Sequence, residues 1–169
     1  MNCENLYEGE EINGETTLYI DKKCTIPYTG HVEYYFKGKI SWECDIVKGL
    51  QQGIEKIYCD DTGELERVSE VKQNRGNGLS IEYYKNGKIS SISTLIDDLN
   101  IDSYSYDETG KLKEVFIMNK NNSDGINYEW VKEKIPSLRA KYDLAKLNQE
   151  ILKYGKPIGE WANVLKLKE

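Results

Sequence analysis

Histidine is nearly absent from this chain, and that scarcity removes most of the usual enzyme chemistry at once. The single copy, His31, leaves too little material for a histidine-rich metal site or a serine–histidine–aspartate arrangement. Standing next to Gly30, it reads as a surface residue at the start of a strand. Neither a Gly-x-Gly-x-x-Gly run nor a Walker loop occurs, and Gly76-Asn77-Gly78 reads as a boundary between repeats. Asp60-Asp61 and Asp97-Asp98 are paired carboxylates in sequence only. Neighbours in a strand point to opposite faces, and both pairs fall where turns are expected. The expectation is a protein with no catalytic residues, no metal and no cofactor.

Long apolar runs are also missing. No stretch approaches the roughly 20 residues that a spanning helix requires. Met1-Asn2-Cys3-Glu4 is acidic where a secretory leader would be basic and then apolar. The four cysteines, Cys3, Cys24, Cys44 and Cys59, form no Cys-x-x-Cys pair. They read as free thiols of a reducing cytoplasm, with Cys44 and Cys59 acting as small apolar residues. Phenylalanine is scarce, at 2 copies, whereas tyrosine is abundant, at 13. A thin β array has two faces and little interior, so it favours a side chain that tolerates both water and burial.

The net charge of −6 is unevenly spread. Residues 1–129 hold 14 Lys/Arg against 24 Asp/Glu, a balance of −10, and residues 130–169 hold 9 against 5, a balance of +4. An acidic body speaks against nucleic acid and suits a basic protein partner, although solubility alone would also explain it. The lysines of residues 132–156 are interspersed with acids and read as a solvated helix face rather than a membrane or phosphate contact.

What the chain does contain is one phrase stated twice. Residues 34–40 read Tyr-Tyr-Phe-Lys-Gly-Lys-Ile and residues 83–89 read Tyr-Tyr-Lys-Asn-Gly-Lys-Ile. Weaker copies end on Gly63 and Gly110, so the turn glycines 38, 63, 87 and 110 are spaced by 25, 24 and 23. That period marks a stacked array. Each copy has hairpin chemistry: a Tyr-, Val- or Ile-rich run, a Gly that takes positive φ, and an apolar residue two positions later (Ile40, Leu65, Ile89, Leu112). A second Gly opens the units at 30, 53 and 78, with Asn100 standing in for it in the fourth.

Together with Pro27-Tyr28-Thr29-Gly30 and Gly49-Leu50-Gln51-Gln52-Gly53, these phased copies resemble the MORN-repeat-variant proteins, whose bacterial members include the YwqK-type antitoxins. The resemblance covers roughly residues 15–118. It departs from the family where the fourth unit lacks its opening Gly and where Gln73-Asn74-Arg75-Gly76 replaces the usual Leu-x-x-Gly. It implies an antitoxin or immunity protein that binds a toxin, with a structural or membrane-associated scaffold as the alternative.

The expected fold is therefore mainly β with C-terminal helices. Residues 1–120 should form an elongated antiparallel array of hairpin repeats of about 23–25 residues, and residues 121–169 a helical segment packed on it; a compact sandwich is the other option. Asn13-Gly14 marks a turn in the first residues. Thr16–Ile20 and Cys24–Ile26 then read as a capping hairpin. In the first repeat, Ile40, Trp42, Cys44 and Ile46 alternate with Ser41, Glu43 and Asp45, whereas Leu65/Val68 and Ile89/Ile92 slip by one residue, as bulges do. In the tail, Ala140, Leu144, Leu147, Ile151 and Tyr154 fall on one face of a long helix that starts at Pro136-Ser137 and stops at Gly155 and Pro157. Residues 128–135 read as a short helix, or else as a last strand.

The candidate partner-binding residues are Glu33, Tyr35, Tyr58, Glu82, Tyr84 and Tyr106, on the carboxylate-bearing face of the array. Aromatics flanked by carboxylates resemble interface anchors, although stacked tyrosines also simply hold neighbouring hairpins together. The opposite face, carrying Val32, Tyr34, Leu79, Ile81 and Tyr83, suits burial under the tail. The expected partner is a basic protein, a toxin domain on the family reading, and neither nucleic acid nor a membrane.

Overall fold

The computed structural model describes residues 1–10, 15–123 and 128–165. The turn expected at Asn13-Gly14, and the Asp124-Gly125 end of the loop, lie outside those residues. Ten strands alternate with tight turns: β1 (Tyr7–Glu10), β2 (Thr16–Tyr19), β3 (Gly30–Phe36), β4 (Lys39–Val47), β5 (Leu50–Tyr58), β6 (Leu65–Lys72), β7 (Arg75–Tyr83), β8 (Ile89–Ile96), β9 (Leu99–Tyr106) and β10 (Leu112–Ile117). Four helices follow: α1 (Tyr128–Val131), α2 (Ile135–Lys141), α3 (Leu144–Tyr154) and α4 (Glu160–Val164). The strands pair antiparallel, and the sheet is open rather than a closed barrel. The mainly β fold with C-terminal helices is thus the one the repeats imply.

Two compact units divide the chain after Arg75 rather than at the boundary between strands and helices. In the first, β3, β4, β5 and β6 pair in sequence order. The capping hairpin is not the expected one: β2 pairs with β1, and Cys24–Ile26 forms no strand. Leu18 of β2 is hydrogen-bonded through its N–H to the Gly49 carbonyl (2.9 Å) and packs with Val32 and Ile46, joined by Leu6, Tyr28 and Trp42. The cover over Val32 therefore comes from the N-terminal segment. Gly49 is required at this contact: its φ is +85°, and a Cβ there would lie 2.3 Å from the Thr17 methyl carbon.

In the second unit β7, β8, β9 and β10 pair in order, and α3 packs on β8 and β9. Leu79, Ile81 and Ile92 are fully buried. Ile96, Ile101 and Met118 form a core with Val131 of α1 and Ile135 of α2. The expected single long helix is two. Residues Tyr142 and Asp143 leave helical geometry, and the Asp143 carboxylate accepts from the Lys146 N–H at 3.0 Å, capping a new helix. Ala140 and Tyr154 are consequently exposed, while Leu144, Leu147 and Ile151 are buried. Gly155 ends α3 in the left-handed region, at φ 73°, where the sequence places the stop.

Each of the four repeat hairpins carries a bulge at the same place. The strand returning from the turn holds one extra residue, Ser41, Glu66, Ser90 or Lys113, opposite the junction 34/35, 57/58, 82/83 or 105/106. The slips expected at the second and third copies are there, and the first copy, expected to alternate cleanly, has one as well. The reason is positional. The turn sets the pairing at Ile40, Leu65, Ile89 and Leu112, and the long ladder sets the pairing beyond, one residue out of step.

Candidate functional site

One face of β3–β5 gathers ionisable groups from three strands. Register opposes His31 to Asp45, Glu33 to Glu43, and Glu43 to Lys56. Residues directly opposite in an antiparallel pair share a face, so all five side chains project to the same side. The other face of β3 and β4 carries Val32, Cys44 and Ile46, which are buried, and that burial fixes the polar set outward.

The contacts within this face are specific. The imidazole Nδ1 of His31 lies 2.8 Å from Asp45 Oδ1. Its Nε2 lies 3.3 Å from Glu43 Oε2 and 4.0 Å from Glu33 Oε1. The second carboxylate oxygens of Glu33 and Glu43 are held from outside. Tyr35 donates to Glu33 Oε2 at 3.1 Å, Tyr58 donates to Glu43 Oε1 at 2.7 Å, and Lys56 Nζ sits 3.0 Å from the same Oε1. At the free edge of β3 the backbone is fixed by residue 1: its amino group donates to the His31 carbonyl, and its carbonyl accepts from the Glu33 N–H, each at 2.9 Å.

Electrostatics follow from these partners. Burial opposes ionisation of Glu43, but the hydrogen bonds from Tyr58 and Lys56 and the charges of Lys56 and His31 outweigh it, holding the carboxyl below its ordinary range. Burial first, and then the bond to Glu43, push the Tyr58 phenol upward. Tyr35 is raised by its bond to Glu33 and the charge of that carboxylate. The face sets carboxylates against an imidazole, two phenols and one ammonium group.

Of the six candidate residues, Glu33, Tyr35 and Tyr58 come together here. The other three lie in the second unit and do not form a comparable face. Tyr106 is buried, 1% exposed, and its hydroxyl donates to Asn148 of α3 at 2.8 Å, so it is a core residue and no contact residue. Tyr84 is half-buried and donates to the Tyr106 carbonyl at 2.7 Å, which ties two hairpins together. Glu82 is exposed, and its carboxylate accepts from Ser91 at 3.0 Å. Register also revises the tyrosine ladder. The residues opposite Ile40, Leu65, Ile89 and Leu112 are Tyr35, Tyr58, Tyr83 and Tyr106, so Tyr83 rather than Tyr84 holds the equivalent place.

His31, Glu43, Asp45 and Lys56 were not among the candidates. The signal for them is the period-2 set Glu43, Asp45 on β4 against His31, Glu33 on β3, which becomes a cluster only once the strands are in register. Asp60-Asp61 and Asp97-Asp98 are turn residues, as expected; Asp97 and Asp98 have positive φ of 48° and 68°. The four cysteines are free, with Cys44 and Cys59 buried. Among the described residues no helix is long and apolar enough to cross a membrane.

The chain matches no protein-family model, and no curated protein matches it in sequence.

Proposed function

We propose that this chain is a non-enzymatic protein-binding module of the cytoplasm, an antitoxin or immunity protein in the sense its repeats imply, and that it engages a basic partner on the polar face of β3–β5. One observation carries the reading. Tyr35 is 41% exposed beside Glu33, and the carboxylates of Glu43 and Asp45 stand on the same face of a rigid, hydrogen-bonded sheet. A preorganised aromatic flanked by fixed negative charge gives contact area at low entropic cost and steers a cationic surface towards it.

The test begins with the protein encoded beside this one. Expressed alone it should arrest growth, and co-expression of this chain should relieve the arrest. For the purified pair, Tyr35→Ala should weaken binding by about 2 kcal/mol, roughly thirtyfold, while leaving the β signal unchanged. Glu33→Gln should slow association and flatten its dependence on salt. A Tyr35→Ala protein that is folded and binds with undiminished affinity would show that this face is not the interface.

A further inference from the structure

We propose that His31, Glu33 and Glu43 form a binding site for a single borderline divalent cation of the zinc class, with Asp45 orienting the imidazole. The inference does not rest on partner binding, and its test involves no partner. Among the described residues these three side chains are the group that could offer converging ligand atoms, all within 4.8 Å of one another.

The three donors face one another across the adjacent strands β3 and β4. Around a four-coordinate zinc with ligands at about 2.1 Å, donor atoms stand roughly 3.4 Å apart. Nε2 of His31 is 3.3 Å from Glu43 Oε2, which already meets that spacing. Glu33 Oε1 is 4.0 Å from Nε2 and belongs to a partly exposed side chain, so a small rotation closes the remaining gap. The set is one imidazole nitrogen and two carboxylate oxygens, which favours a first-row transition dication over magnesium or calcium.

A second feature separates this set from a chance crowd of acids. Every donor group is anchored through the atom that would not bind the metal. Asp45 lies against Nδ1, so Nε2 is the nitrogen turned toward Glu33 and Glu43; Tyr35 holds Glu33 Oε2 and leaves Oε1; Tyr58 and Lys56 hold Glu43 Oε1 and leave Oε2. Carboxylate to histidine to metal is the usual outer arrangement of such centres, because it fixes the tautomer and the ring plane. The anchors, Asp45, Tyr35, Tyr58 and Lys56, all lie outside the donor set. The rival account is a doubly protonated imidazole held between carboxylates, and it makes a different prediction.

His31 is the chain's only histidine, so its imidazole signals in a nitrogen–proton NMR spectrum need no assignment. Titrating the tag-free chain with Zn²⁺ alone should move the Nε2 resonance, keep the proton on Nδ1, and saturate at one equivalent with a dissociation constant on the order of 100 µM or tighter. His31→Asn should abolish the site. Glu33→Gln and Asp45→Asn, both at partly exposed positions, should each weaken it about ten- to a hundredfold with the fold intact. Replacing Cys3 and Cys24 by serine should leave it unchanged. Zinc that leaves the His31 signals in place, or that binds the His31→Asn chain equally well, overturns the proposal in favour of the imidazolium account.

Discussion

Cys44 shows how one side chain's surroundings decide its chemistry. It is fully buried in β4, on the face opposite His31 and Glu43, and burial pushes its thiol up to about 12. Cys3, partly exposed, is also raised by burial and by nearby Glu8 and Glu4, yet solvent reaches it. Iodoacetamide at neutral pH should therefore label Cys3 well before Cys44 in the folded chain, and label both readily in urea; peptide mass spectrometry reads the order. Equal rates under native conditions would mean that β4 is not shielded. Tyr35 and Tyr106 make the same point for tyrosine. They hold equivalent positions in their hairpins, but one faces water beside Glu33 and the other is sealed beneath α3.

Among the elements, α2 is held to β9 by a polar latch as well as by Ile135 in the core. Arg139 donates to Asp102 of β9 through two bonds of 2.7 Å and to the Met118 carbonyl at 2.8 Å, while the Met118 N–H donates to Asp102 at 3.1 Å. The Asp102 side chain is only 6% exposed. Arg139→Met would leave that carboxylate with too few donors, and a buried charge without its partner is costly. Because Arg139 itself is 40% exposed, the loss should fall near the low end for such pairs, about 2–3 kcal/mol. Urea unfolding followed by circular dichroism measures it. Arg139→Lys should recover only part of the loss, since a lysine cannot offer the bidentate fork. An unchanged midpoint for Arg139→Met would show that water already screens the pair.

At the scale of the whole molecule, the tyrosines make stability fall on the alkaline side. Burial pushes Tyr83 up to about 12 and raises Tyr58 and Tyr106 as well, so both compact units contain phenols that stay protonated when unfolded ones would ionise. A raised folded value means that the native state binds more protons than the unfolded state over that interval. Their contribution is fully present below pH about 10, the ordinary tyrosine value, and is lost as pH rises towards and through about 12. Thermal melts across that range should show a steady decline. Absorbance of the phenolate should rise in two stages, the later one coincident with unfolding. A single early stage with the fold intact would contradict the burial of these three side chains.

Local chemistry in the sequence was enough to place the four repeat hairpins and their turns, the stop of α3 at Gly155 and the apolar positions Val32, Leu79 and Ile81. Those features depend on glycine's access to positive φ, on period-2 alternation and on the stops at Gly155 and Pro157, all of which act over a few residues. The break at Tyr142-Asp143 was also local, but the apolar spacing across it imitates one continuous helix. Three outcomes needed the tertiary structure. Register across strands brought His31 and Glu33 against Glu43, Asp45 and Lys56, residues up to 25 positions apart whose proximity no periodicity encodes. Packing of α3 on β9 turned Tyr106 from a candidate contact into core. A turn one residue longer in the third hairpin than in the first, Tyr83 to Ile89 against Tyr35 to Ile40, put Tyr83 in the ladder where the repeated phrase suggested Tyr84. A repeat specifies its own turn, but which face each tyrosine serves is decided by what the rest of the chain lays over it.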